Sequence, residues 1–173
     1  LTLVYGVLHI INFAHGAALM VALYAVWTLK EKLGVDPYAA LPFVTLAMFA
    51  FGYVLQRVVI ERASHGRDEN ILLVTLGLAI VMENIALAWF KSDTHTIDTS
   101  YTLATIGIGP VMLAVPKLIA FCGALAVAAV LFWIMRATDL GRAIRAVAKE
   151  KQGARLMGIN VEHVYAMSFG IGM

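Results

Sequence analysis

Apolar residues run along this chain in long unbroken blocks, and each block ends at a short cluster of polar or charged residues. A helix that crosses the hydrocarbon core of a bilayer needs about 20 mostly apolar residues at ~1.5 Å of rise each. The pattern predicts such helices over residues 17–33, 38–56, 71–90 and 118–135, with shorter apolar pieces at 1–14 and 164–173. The stretch AALMVALYAVWTL at 17–29 is short for a span. It predicts a helix that is tilted, takes in the preceding FAHG, or is partly re-entrant. Pro42 falls in the first turn of the next block, where a missing backbone donor is tolerated. Between Ser92 and Pro116, polar and β-branched residues alternate (THTIDTSYTLATIGIGP), which predicts short extended pieces or a hairpin. Neither an internal repeat nor a low-complexity tract is visible.

These elements predict an all-α fold, a polytopic transmembrane helix bundle forming part of a single membrane domain. Composition agrees: 61% of the 173 residues are hydrophobic and 14% are charged. Soluble domains carry about 25% charged residues, and a water-soluble fold of this size has no interior for such an excess. Gly52, Gly77, Gly123, Ala124, Ala126, Ala128 and Ala129 lie inside the blocks. Small side chains let helices approach closely in lipid, so a packed bundle is expected. The single cysteine, Cys122, lies in an apolar block and reads as a small core residue, which leaves no disulfide framework. Both ends fall within apolar stretches, so the chain reads as an internal fragment of a longer protein.

Charge orients the bundle. Arg57, Arg62 and Arg67 lie in 56–70, and Arg136, Arg142, Arg145, Lys149, Lys151 and Arg155 lie in 136–163. Those two connections hold nine of the 13 basic residues, and the positive-inside rule assigns them to the cytoplasm. Trp89 and Phe90 beside Lys91, and Trp133 near Arg136, stand where interfacial aromatic residues are expected.

Two places inside the apolar pattern carry polar groups. In HIINFAHG, His9 and His15 are six positions apart and so point about 120° away from each other on a helix. A shared metal ion needs ligands on one face, so no metal site is expected there. Asn12, His15 and Gly16 then have two readings. They satisfy backbone groups where a helix ends, with Gly16 allowing a bend, or they line a transport path or gate. Glu83, followed by Asn84, lies within the 71–90 block. An ionisable group at mid-membrane costs about 2.5–3.5 kcal/mol and usually faces a bundle interior or a wet cavity. Interhelical hydrogen bonding and a place on a substrate path are both open for it.

The connection RATDLGRAIRAVAKEKQGARLMGINVEH is the most organised polar stretch. Thr138 or Asp139 can cap a helix start. With Arg142 at zero, Arg145 and Lys149 fall at about 300° and 340°, whereas Ile144, Val147 and Ala148 fall at about 200°, 140° and 240°. One basic and one apolar stripe result. A second short helix is expected to end with Gly158 in the left-handed region, with Ile159 folding back onto Ala154. Such a segment lies on anionic lipid or docks a cytoplasmic partner.

Gln152-Gly153-Ala154 followed three residues later by Gly158 resembles the EAA loop of ABC-importer permeases, whose signature is Glu-Ala-Ala-x-x-x-Gly. Gln152 and Gly153 depart from it; Ala154 and Gly158 match. Together with LTLVYGVLHIINFAHG, VTLGLAIVMENIAL and TDLGRAIRAVA, the chain resembles, essentially end to end, the LivH-like permease subunits of branched-chain amino-acid importers.

The resemblance implies that 136–163 is a cytoplasmic coupling loop seated in a groove of an ATPase subunit, with Arg142, Arg145, Ala154, Arg155 and Gly158 as its candidate residues. It leaves Asn12, His15, Gly16, Glu83 and Asn84 as candidates for a translocation path or gate. It further implies inward transport of leucine, isoleucine or valine across the bacterial inner membrane. The implied partners are a second, LivM-like permease, two ATP-binding subunits, an external substrate-binding protein and the lipid bilayer. Relatives within the resemblance carry urea, short amides or other amino acids. No phosphate-binding GxxxxGK occurs in the chain, so ATP is expected on the partner subunits, with no cofactor, no catalytic residue and no nucleic-acid partner here.

Overall fold

The computed structural model of the chain describes residues 12–64, 68–91, 95–97, 105–108 and 111–173. His9 and most of the 1–14 apolar piece lie outside the described residues, as does Arg67. Two compact units are present, one of residues 1–94 with 143–173 and one of residues 95–142.

In the first unit, helix α1 covers Ala14–Leu33. It starts three residues before the expected 17, because the buried Asn12 side chain accepts the Ala14 N–H at 2.9 Å and begins the helix there. FAHG is thereby taken up, and Gly16 lies within the first turn instead of at a bend. Gly34 closes the helix with a positive φ of 65°. Asp36 then caps the next one by accepting the Tyr38 N–H at 2.9 Å.

Helix α2 covers Pro37–Leu55, with Pro42 inside it. The expected end at 56 is not where helical structure stops. A π-helical segment, Gln56–Ile60, and a short helix α3, Glu61–Ser64, continue from it. Polar residues end an apolar block, yet the backbone hydrogen bonds of a helix do not depend on side-chain polarity. Gln56 is buried at 2% exposure, and its Oε1 has no hydrogen-bond partner among the described residues. Helix α4 covers Asp68–Phe90.

Helix α1 packs on α2 and α4, and α2 packs on the last helix, α8, which covers Val161–Gly172. Helix α8 begins before the expected 164, because the Asn160 side chain accepts the His163 N–H at 3.0 Å and starts it earlier. Leu55, Ile60, Ile71 and Phe169 form the buried cluster where the π segment, α4 and α8 meet. Gly52 and Gly170 make the crossing of α2 and α8 close. A Cβ on Gly52 would stand 3.1 Å from the Gly170 Cα, and one on Gly170 would stand 2.9 Å from the Phe49 carbonyl oxygen.

The second unit holds an antiparallel hairpin. Strand β1 (Thr105–Ile108) pairs with β2 (Val111–Ala114), Thr105 opposite Ala114 and Ile108 opposite Val111. Strand β2 runs directly into helix α5, Val115–Ala137, in which no residue is buried. Of the glycines expected at close helix contacts, Gly52 makes one, whereas a Cβ on Gly77 or Gly123 would meet no other helix within 4 Å among the described residues.

Among the described residues, three helical stretches are long and apolar enough to cross a membrane: Pro37–Ala63, Asn70–Phe90 and Val115–Ala137. Helix α1 is not among them; Lys30, Glu31 and Lys32 crowd its last turn and leave its apolar part short. The first unit is a bundle of apolar helices; the described part of the second holds the hairpin and one long apolar helix.

Candidate functional site

The connection between α5 and α8 is built of two helices. Thr138 starts the first, α6 (Asp139–Lys149), by accepting the Gly141 N–H on its hydroxyl at 3.1 Å. Asp139 and Arg142 form an ion pair one turn apart on its exposed side. Ile144 and Val147 are buried, while Arg142, Arg145 and Lys149 are exposed, so the helix is amphipathic in fact as well as in pattern.

Helix α7 covers Lys151–Leu156, capped by the Glu150 side chain, which accepts the Gln152 N–H. Its end has the hydrogen bonds of a Schellman motif. The Ile159 N–H reaches the Ala154 carbonyl at 3.0 Å, and the Gly158 N–H reaches that of Arg155 at 3.0 Å. Gly158 takes a φ of 81°, which a residue with a Cβ adopts only with strain. Ala154 is buried and Arg155 exposed. The Lys151 ammonium lies 5.1 Å from the centre of the Tyr165 ring, which ties α7 to α8. Two capped helices and a closed turn make this connection stiff.

The candidates for a translocation path fall into two separate places. Asn12 is buried and occupied in capping α1, and His15 is half-buried near the Gly172 backbone at the end of α8. Gly16 is exposed, with open space around it. On α4, Ile71, Thr75, Ala79, Met82 and Ala86 form the buried stripe. Glu83 and Asn84 lie off that stripe and are exposed, and the Asn84 amide donates to the Ile80 carbonyl of its own helix at 2.7 Å. The structure thus places Asn12 and His15 together at the start of α1, His15 near the end of α8, and does not bring Glu83 and Asn84 to them. Among the described residues, no cluster of His, Cys, Asp or Glu could hold a metal ion.

Residues 1–172 match the family model described as the branched-chain amino acid transport system / permease component. The chain belongs to this family. It is 28% identical over 186 residues to the high-affinity branched-chain amino acid transport system permease protein BraD of Pseudomonas aeruginosa, covering 99% of this chain and 60% of the relative. The LivH permease protein of Escherichia coli K12 is 28% identical over 193 residues, with 99% and 59% covered. A probable branched-chain amino acid transport permease protein LivH of Methanocaldococcus jannaschii is 25% identical over 175 residues, with 98% and 55% covered. The chain spans about 60% of the length of the curated relatives it matches. No solved structure matches it. With its apolar helices, this member of the permease family is a multi-pass membrane protein.

Two features of this permease chain escaped the sequence reading. A cavity of about 950 Å³ opens between α1, α4 and Phe51 of α2, walled by Tyr24, Trp27, Trp89 and Phe90 with Lys32 beside them. Tyr24 and Phe90 stack at 4.1 Å between ring centres, and Trp27 meets Phe90 edge-on. The second feature is polar and joins α2, the π segment and α8. The Arg57 guanidinium donates to the Tyr53 hydroxyl at 3.0 Å, and that hydroxyl lies 3.2 Å from the His163 Nδ1. Glu61 and Glu162 lie side by side, with Arg57 and Arg155 near enough to act on them electrostatically. The spacing of Tyr53, Arg57 and Glu61 at every fourth position was a usable signal for one side of this cluster.

Glu83 gives a direct test of whether the exposed face of α4 is covered by protein. Glu83→Gln keeps the hydrogen-bonding shape without the ionic cost of about 2.5–3.5 kcal/mol, so assembly is expected to stay intact. Glu83→Leu is expected to lower transport or assembly of the complete complex. Full activity and normal assembly with leucine would remove Glu83 from the candidate path.

Proposed function

We propose that the chain is the membrane-spanning core of an ABC-importer permease subunit that moves leucine, isoleucine and valine into the cell across the bacterial inner membrane. The match over residues 1–172 to a permease family carries the proposal, and the names of the relatives, all of branched-chain amino-acid systems, favour that cargo. In this reading the chain is not an enzyme and holds no cofactor. ATP is hydrolysed by two partner ATPase subunits, a LivM-like permease completes the pore, and an external binding protein delivers substrate.

The connection 138–160 suits the coupling role. A short helix that frays transmits little force, whereas α7 is capped at both ends and closed by Gly158. Arg142, Arg145 and Arg155 stand exposed for a partner of complementary charge. The full-length subunit, reconstituted with its partners in proteoliposomes, is expected to take up labelled leucine only with ATP and the binding protein present. Uptake of urea or acetamide in place of leucine would move the cargo to the amide carriers, and ATP-independent leakage of leucine would make it a channel.

A further inference from the structure

The Tyr53–His163 contact spans 110 residues of sequence and ties the start of α8 to the end of α2. Its position matters because α8 follows the coupling connection directly: only Met157, Gly158, Ile159 and Asn160 separate the end of α7 from its start. Any displacement of α7 therefore arrives first at Asn160–His163. At this end α8 is held to α2 by polar contacts, the Tyr53 hydroxyl being shared between Arg57 and His163, with the rings of Tyr53 and His163 edge-on at 5.9 Å. At its other end α8 is held by close packing of Gly170 against Phe49 and Gly52. The first kind of contact can break and re-form; the second cannot shift without steric conflict.

From Gln56 to Ile60 the helix is π-helical, with the Glu61 N–H reaching back five residues to the Gln56 carbonyl. Such wide turns have poorer packing along the axis and recur at functional sites. Arg57 lies inside that segment, and Glu61 at its end stands within electrostatic reach of Glu162, Arg57 and Arg155. Arg155 comes from α7 itself, so the coupling helix carries a charge within electrostatic reach of Glu61 at the end of the π segment.

We propose that Tyr53, Arg57 and His163 act as positioning residues: a hydrogen-bonded latch that holds the start of α8 to α2 and passes movement of the coupling loop to the Gly52–Gly170 crossing. The proposal rests on the coupling role given above to residues 138–160. Substrate does not touch these residues. They determine how much of the displacement at α7 becomes rotation of α8 about its tight crossing, and how much is lost as slack.

The test uses the full-length subunit in the complete importer, reconstituted in proteoliposomes, and reads substrate moved per ATP hydrolysed. Tyr53→Phe and His163→Phe keep the edge-on rings and remove the polar contact. Each is expected to lower the transport-to-hydrolysis ratio about fivefold, the scale of one hydrogen bond, with ATPase subunits retained. The double variant is expected to fall no further than either single one, because both remove the same contact. His163→Asn, which keeps a polar group near the Nδ1 position, is expected to recover most of the ratio. An unchanged ratio in both phenylalanine variants, or losses that multiply in the double variant, overturns the latch. Gly158→Val, measured alongside, separates the two ideas. If it uncouples while the phenylalanine variants do not, the latch alone fails; if it too leaves stimulation normal, the coupling reading fails.

Discussion

Gly158→Val is expected to abolish uptake while leaving the helices inserted in the membrane. A Cβ at this position meets nothing within 4 Å, so the substitution creates no clash. Its whole effect comes from the φ of 81°, where a β-branched residue is strained by about 1–2 kcal/mol or more. That strain is relieved by opening the turn, which releases the Ile159 N–H from Ala154 and the Gly158 N–H from Arg155. Helix α7 has only six residues and cannot hold its end without those bonds. The ATPase subunits should then either dissociate during purification or hydrolyse ATP without response to loaded binding protein. Asparagine tolerates the left-handed region, so Gly158→Asn should keep much of the activity. Co-purification of the ATPases and substrate-stimulated hydrolysis measure the outcome. Normal values for both Gly158→Val and Ala154→Asp would make this connection a lipid-surface segment rather than a coupling element.

The second large effect belongs to the crossing of α2 and α8. A Cβ on Gly170 would lie 2.9 Å from the Phe49 carbonyl oxygen and 3.1 Å from its ring. Backbone on a packed helix cannot move aside as a flexible side chain does, so Gly170→Val must push the helices apart. Overpacking of this kind costs about 1–3 kcal/mol and here strikes the contact next to the fully buried Phe169. The purified variant is expected to melt at lower temperature and to lose its monodisperse form, with transport lost as a consequence. Gly77→Val is the matched control, because a Cβ there has open space in this chain. Equal melting of Gly170→Val and the parent protein would show that the crossing is looser than described.

What sequence reveals about this molecule depends on how local each determinant is. The Schellman turn at Gly158 was legible because its donors, acceptors and glycine all lie within six residues. Amphipathicity in α6 was legible for the same reason: Ile144 and Val147 share a face by spacing alone. Helix ends were less so. Hydropathy marks where a block meets charge, but Asn12 and Asn160 move the starts of α1 and α8 by capping, and the backbone of α2 runs on through Gln56 and Arg57. The candidate path residues were chosen as polar groups in apolar surroundings, a criterion that carries no direction. It could not tell that Asn12 turns to its own helix start and that Glu83 lies off the buried stripe. Least legible was the contact of Tyr53 with His163, since no periodicity links residues 110 positions apart.

The π segment has a further consequence, which concerns angular phase. An α-helix turns 100° per residue, so one extra residue in a turn rotates everything beyond it by about that angle. The side chains of Glu61 to Ala63 therefore point where they do because Gln56–Ile60 takes a wide turn. Removing a single residue there would restore a regular helix and leave Glu61 on nearly the same face, because five regular steps turn as far as six that include the wide turn. Closing the wide turn at constant length would instead swing Glu61 by about 100° away from Glu162. The extra residue and the wide turn hold this rim of the bundle in phase together, and only a change that removes one without the other disturbs it.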